Sequence, residues 1–294
     1  YKLLFIWEFV FLFFKLKFKK GSIMDDINKA IELFLNNTNF KKEDIKKIKN
    51  IHLGYTNKSF LFILKNKDKY QIRISKNNQI IDRNIEQKIL PFLKNNIFVY
   101  MDKDGNAIKR WIEGYNPKFL FNRKKLLSKL VSSIIELHNI DIKKVDIAIH
   151  DYFEYCDNDT KVKYQDWYDL YEKLLNRYKD LDFVFSHNDI NPLNMIYETK
   201  TKNIILIDYE WARINYRYFD LANFFRETNF KAKWLKYICS LYPQLKYEVL
   251  LDFCFICTFF AHLWSFKIEQ SKKILKYRKK NLKRLNYFYL LVSK

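Results

Sequence analysis

Residues 185–225 read FSHNDINPLNMIYETKTKNIILIDYEWARINYRYFDLANFF. Two polar clusters, His187-Asn188-Asp189 and Asp208-Tyr209-Glu210, flank an apolar run that ends Ile204-Ile205-Leu206-Ile207. Strand-like Met195–Tyr197 and the turn-forming Lys200–Asn203 lie between them, which predicts a β-hairpin. A hairpin brings its open ends together. Asp189 and Asn194 precede its first strand, and Asp208 and Glu210 follow its second. The pattern therefore predicts a convergence of oxygen donors.

Hard oxygen donors suit Mg²⁺ holding phosphate groups. An Asp followed five residues later by Asn, with a second Asp beyond a hairpin, is the spacing by which kinases place a base and two metal ligands. Asp189 is then the catalytic candidate, orienting an attacking hydroxyl and accepting its proton. Asn194 and Asp208, with Glu210 beside them, are the candidate metal ligands. The plainer account is that Asp189 and Asn191 cap loops and Asp208 ends a strand. The combination of strand, turn and second carboxylate favours the chemical reading.

The 294-residue chain is long enough for one large domain or two modest ones. Its 49% hydrophobic and 18% aromatic content excludes a disordered chain. The net charge of +21 raises the alternative of a basic nucleic-acid-binding protein, which predicts salt-sensitive affinity and no ATP turnover. Abundant Lys, Phe and Tyr beside four Gly and four Pro match AT-rich coding instead, and no nucleic-acid module signature is visible. Cys156, Cys239, Cys254 and Cys257 form no disulfide framework, and Cys254-Phe-Ile-Cys257 reads as two buried thiols one helical turn apart. The apolar run Val249–Trp264 around them is expected to be too short, and interrupted by Asp252 and His262, to span a bilayer. A reduced, cytoplasmic protein is expected.

Along the chain, Ile27, Ala30, Ile31, Phe34 and Leu35 have helical spacing. Strands are expected at Ile48–Leu53, Ser59–Leu64, Tyr70–Ile74, Ile97–Met101 and Ile108–Trp111, with a helix at Ile80–Leu93 and a turn at Asp102–Asn106. From Arg123 the pattern is helical, through Leu126–His138, Trp167–Tyr178 and Leu221 onward. A ligand crevice is expected where the two parts join, near Ile112-Glu113-Gly114.

The opening stretch resembles the choline/ethanolamine kinase family, including the bacterial LicA-type choline kinases, within the protein-kinase-like fold. His187-Asn188-Asp189…Asn194 matches its phosphotransfer loop. Ile207-Asp208-Tyr209-Glu210-Trp211…Asn215-Tyr216-Arg217-Tyr218-Phe219-Asp220-Leu221-Ala222-Asn223 matches the signature after its metal-binding Asp. The family commonly has a small residue and a Gln in the loop, where this chain has Ile190-Asn191-Pro192-Leu193.

The resemblance extends over most of residues 50–280. It implies an α+β, two-lobed fold with a small β-rich N-lobe at 24–113 and a larger, mainly helical C-lobe at 114–294. It also implies ATP and Mg²⁺ as cofactors and a small-molecule acceptor. Choline, phosphorylated on its hydroxyl to phosphocholine, is the expected acceptor. Ethanolamine, or more distantly an aminoglycoside or thiamine, is the alternative, and a fold that binds nucleotide without catalysis is a further one. Gly54, Thr56 and Asn57 resemble the phosphate-covering loop. Arg73 sits where relatives place a phosphate-contacting cation, with Glu86 as its partner, and Arg110, Trp111 and Ile112 match the hinge beside adenine. Trp211, Glu227, Trp264 and Tyr277 fall at or near the acceptor pocket, whereas Asp220 and Asn223 brace the catalytic loop. Aromatic faces and a carboxylate suit a quaternary ammonium, which has no proton to donate.

The first Met is residue 24, and Lys19-Lys20-Gly21-Ser22 just before it takes purine-rich codons. These resemble a ribosome-binding site read through as protein, so residues 1–23 are expected to be a non-native upstream extension. Glu8 and the absence of a small-residue cleavage site argue against a signal peptide.

Overall fold

The computed structural model describes residues 24–51, 57–75, 84–119, 123–228 and 230–294. The expected upstream extension, residues 1–23, lies outside them, as do Leu53, Gly54 and Thr56. The chain divides between Ile112 and Glu113 into two compact units.

The first unit carries a five-stranded antiparallel sheet in the order β1-β2-β3-β5-β4. Its strands are β1 (Ile45–Ile51), β2 (Asn57–Leu64), β3 (Lys69–Ser75), β4 (Phe98–Met101) and β5 (Ala107–Arg110). Alternation along β2 sends Phe60, Phe62 and Leu64 to one face. A helix over 24–36, α1, buries Ala30 and Phe34 in the same cluster. The Phe34 ring lies 5.3 Å from Phe62 and 5.4 Å from Tyr70. The helix expected over Ile80–Leu93 is shorter within the described residues: α2 (Asn84–Ile89) gives way to a 3₁₀ turn at Leu90–Phe92. Pro91 is the cause, since its ring removes a backbone donor and disfavours helical geometry at Leu90.

In the second unit, α3 (Arg123–His138) buries Leu126, Leu127, Leu130, Val131, Ile134 and Leu137. It is followed by α4 (Asn158–Lys163), α5 (Gln165–Arg177), α6 (Phe219–Glu227), α7 (Lys233–Leu241), α8 (Tyr247–Lys267) and α9 (Lys272–Val292). The apolar run expected to be too short for a membrane belongs to the 21-residue α8, which is long and apolar enough to cross one. That expectation is corrected, but 72% of its apolar window is buried inside the unit. A helix that is apolar all round is a core helix when its neighbours cover it, and α8 packs against α5, α6, α7 and α9. Asp252 on α8 accepts the Tyr178 hydroxyl at 2.5 Å. Cys254 and Cys257 are buried free thiols whose pKa values burial pushes up.

Two small sheets complete this unit. β7 (Phe183–Ser186) pairs antiparallel with β10 (Arg213–Tyr216). The other sheet has the order β6-β8-β9, from Gly114–Tyr115, Met195–Glu198 and Ile204–Leu206. The hairpin at 195–206 is the one the opening stretch predicts, whereas β6 and β10 had no sequence signal strong enough to mark them. β6 depends on a glycine: a Cβ on Gly114 would stand 2.4 Å from the Tyr197 carbonyl oxygen and 2.6 Å from Ile196 Cγ2. Gly114→Ala must therefore push β6 off β8, and urea unfolding is expected to show a loss of about 1–3 kcal/mol. An unchanged midpoint would mean that the pair separates freely.

Candidate active site

The chain leaves β7 at Ser186 and turns sharply through His187, Asn188 and Asp189. Asn188 has φ of 62°, a left-handed conformation that Asn tolerates better than most residues. It is pinned there from three sides. Its Oδ1 accepts from Ser186 Oγ at 2.8 Å and from Asn215 Nδ2 at 2.9 Å, and its N–H donates to Asp220 Oδ1 at 2.8 Å. The fully buried His187 accepts the Asp189 N–H at Nδ1 and donates Nε2–H to the Ile207 carbonyl at 3.0 Å. The Ile207 N–H in turn donates to the Asn194 carbonyl at 3.0 Å. These two bonds lock the start of the loop and its far end to the residue before Asp208.

Asp189 is held by two amides. Asn194 Nδ2 donates to its Oδ2 at 2.6 Å and Asn191 Nδ2 to its Oδ1 at 3.2 Å. Asn191 also caps the 3₁₀ turn Pro192–Asn194, accepting the N–H groups of Leu193 and Asn194. Asn191 thus joins the 3₁₀ turn to Asp189, which Asn194 holds more closely. Burial pushes the Asp189 carboxyl up to about 7, against the attraction of Arg226 and with the repulsion of Glu227 and Asp208.

Asp208, one residue beyond the Ile207 anchor, has φ of 71°. Two of the four non-glycine residues with positive φ among the described residues are thus Asn188 and Asp208, the others being Lys67 and Lys202. Strain held in place by surrounding bonds is a mark of functional loops. The donor set fits a hard cation. Asn194 turns its N–H groups to Asp189, so its Oδ1 is the neutral oxygen it could offer a cation, and its carbonyl is tied to the residue before Asp208. Glu210 follows and is buried.

Behind the loop stands a network the sequence only partly revealed. Asp220, wholly buried on α6, accepts the N–H groups of His187 and Asn188 and a bond from His138 Nε2 at 3.1 Å. Burial opposes ionisation, but His138 and His187 hold this carboxyl below the usual range. His138 Nδ1 reaches the Tyr242 hydroxyl at 3.1 Å, which accepts from Arg217 at 2.6 Å. Asn223 donates to the Ile190 carbonyl at 3.2 Å. Asp220 and Asn223 therefore brace the loop, while His138 and Tyr242 come from distant segments.

In the first unit, Arg73 on β3 forms a buried ion pair with Glu86 on α2 and donates Nε to the Gly105 carbonyl at 2.9 Å. Gly105 has φ of 83°, as its place in the Asp102–Asn106 turn requires. Lys109 is a second cation near Glu86, at 3.9 Å. Among the residues expected beside adenine, Arg110 and Trp111 spend their N–H groups on the carbonyls of Ile97 and Lys69. Ile112 follows them and is buried. Asn57 opens β2 opposite Ser75.

A protein-family model described as choline/ethanolamine kinase matches residues 48–255. The chain belongs to the choline/ethanolamine kinase family. A relative from Mycoplasma pneumoniae, "Uncharacterized protein MG356 homolog", is 34% identical over 266 residues, covering 88% of this chain and 92% of the relative. Among solved structures, the choline kinase LicA from Streptococcus pneumoniae is similar, with a TM-score of 0.67, 18% identity and coverage of 90% and 99%. A choline/ethanolamine kinase family protein from Mesorhizobium loti gives 0.70, 15% identity and coverage of 90% and 94%. The fold is kinase-like, with a β-sheet N-terminal region and a mainly helical C-terminal part. The kinase is thus a phosphotransferase acting on an alcohol.

In this kinase the four residues expected near the acceptor form one chain of contacts. Trp211 meets Trp264 edge to face at 6.2 Å, and Trp264 meets Tyr277 at 5.8 Å. The Tyr277 hydroxyl accepts from Arg226 Nη1 at 2.5 Å, and the same nitrogen lies 2.6 Å from Glu227 Oε1. Glu227 Oε2 is 3.4 Å from Lys280 Nζ. Glu227, expected as a counter-charge for substrate, is paired with two internal cations. Against burial, they hold its carboxyl below the usual range. Arg226 was missed because its one-dimensional signal, a basic residue at a helix end, is shared by many surface arginines.

Proposed function

We propose that this kinase phosphorylates choline, using ATP, to give phosphocholine. The observation that carries the reading is the state of the hydrogen-bond acceptors beside the Trp211–Trp264–Tyr277 cluster. Glu227 takes Arg226 and Lys280, Asn223 Oδ1 takes Arg226 at 2.6 and 3.0 Å, and the Tyr277 hydroxyl takes Arg226. A primary ammonium brings three donors that need acceptors. A trimethylated one needs polarizable faces, which the two tryptophans and Tyr277 offer.

The chemistry follows from the loop. Asp189 Oδ2 is tied closely to Asn194, so Oδ1, with only the longer Asn191 bond, is the atom that accepts the proton of the acceptor hydroxyl. The freed oxygen bonds to the γ-phosphorus as the bond to the β–γ bridging oxygen breaks, and ADP leaves. Asn194 and Asp208, with Glu210 behind, would hold Mg²⁺, which when bound neutralises charge on the phosphates. In the nucleotide unit, Arg73, oriented by Glu86, would meet the α/β-phosphates, with Gly54, Thr56 and Asn57 as the further phosphate contacts the resemblance implies. The hinge at Arg110–Ile112 would meet adenine, with the Ile112 N–H as the donor not used by Ile97 or Lys69.

Measuring ATP consumption with choline, ethanolamine, thiamine and an aminoglycoside tests the assignment. Choline should give the highest kcat/KM. Trp211→Ala is expected to raise KM for choline by about tenfold, the loss of one desolvated cation–π face, with KM for ATP nearly unchanged. A wild type that prefers ethanolamine would overturn choline and leave the kinase class standing.

A further inference from the structure

The last helix carries a second face that the acceptor site does not use. On its inner side α9 buries Ile274, Asn281, Leu285 and Phe288. On its outer side Lys272, Lys276, Lys279 and Lys283 are all exposed. Their spacing sets them along one stripe of the helix. Leu275 and Leu282, seven residues apart, border that stripe at 45% and 38% exposure, and Leu290 continues the outward side at 62%.

The charge here is not the chain's general excess. Of the 13 residues Lys272–Arg284, eight are Lys or Arg, against 54 in 294 overall. No Asp or Glu occurs after Glu269. What sets the tract apart is this density of bases with no acid among them. Bare lysines would suit any polyanion. Leucines left exposed beside them are a cost in water that a bilayer interface removes, and a phosphate backbone does not.

We propose that the outward face of α9 docks on an anionic bilayer surface, with the lysines over the headgroups and Leu275 and Leu282 entering the interface. The contact would lie next to the acceptor residues, because α9 also supplies Tyr277 and Lys280. It does not depend on which alcohol is phosphorylated.

The test is co-sedimentation of the full chain with vesicles of phosphatidylcholine alone or mixed with phosphatidylglycerol, at low and high salt. Binding is expected to the mixed vesicles only, and to weaken with salt. The variant Lys272→Gln/Lys276→Gln/Lys279→Gln/Lys283→Gln should lower partitioning by about tenfold or more. Leu275→Asn/Leu282→Asn should lower it by several-fold without changing net charge. Both variants should keep the wild-type kcat and remain folded by urea unfolding, with at most a modest drop in midpoint for the leucine variant, whose side chains are part-buried. A wild type that stays in the supernatant with anionic vesicles overturns the proposal. So does binding that neither variant weakens. Binding of a short RNA duplex that needs the lysines and ignores the leucines, without vesicle binding, would assign the face to nucleic acid instead.

Discussion

Asp189→Asn is expected to lower kcat by about 10²-fold or more, the scale of a lost general base, while making the ligand-free protein more stable above neutral pH. The two effects share one cause. Burial, aided by Glu227 and Asp208, raises the carboxyl to about 7, far above its ordinary value. Ionisation therefore costs more in the folded state than in the unfolded one. Below about pH 4 both states hold the proton and the cost is absent. As pH rises toward 7 the unfolded chain ionises first, and above 7 the full penalty is present. An Asn of the same shape avoids it, a gain of about 2 kcal/mol once partial exposure is allowed for. Thermal melts at pH 5 and pH 8 without metal or nucleotide should show the larger rise in Tm at pH 8. A variant with near-wild-type kcat would remove Asp189 from the chemistry, and an equal rise at both pH values would remove the burial account.

Asp220→Ala should damage folding and turnover together. Its carboxylate is fully buried and collects two backbone N–H groups and His138. Truncation leaves those donors without acceptors, a loss of about 3–5 kcal/mol. It also releases Asn188 from its left-handed turn, so kcat should fall even where the protein remains folded. The pH dependence runs opposite to that of Asp189. A depressed folded pKa stabilises above the unfolded value, near 3.9, and that contribution is lost as pH falls through the folded pKa. Urea midpoints of wild type and Asp220→Asn should therefore differ most near neutrality and converge in acid. Asp220→Asn, which keeps an acceptor and the shape, should retain more activity than Asp220→Ala. If the alanine variant matched wild type in both midpoint and kcat, the brace would have no energetic weight.

Much of this protein was legible in one dimension because its signals are periodic or local. The alternation at Phe60, Phe62 and Leu64 and the helical spacing of Ile27, Ala30 and Phe34 mark faces that must be buried, whatever they pack on. The hairpin after Asp189 and Asn194 is local in sequence, so its turn and strands set the donors near Asp208. The buried pairing of Arg73 with Glu86 is one the family resemblance implies. Long-range choices were not legible. Which aspartate would be sunk until its carboxyl titrates near neutrality depends on packing around it, and Asp189 and Asp220 were shifted in opposite directions by different neighbours. His138 and Tyr242 reach Asp220 from far along the chain. Only the fold placed Arg226 and Lys280 on Glu227. A sequence determines which residues carry charge; the tertiary structure decides which charges are already spent on each other, because Coulomb energies and desolvation depend on distances that no spacing rule contains.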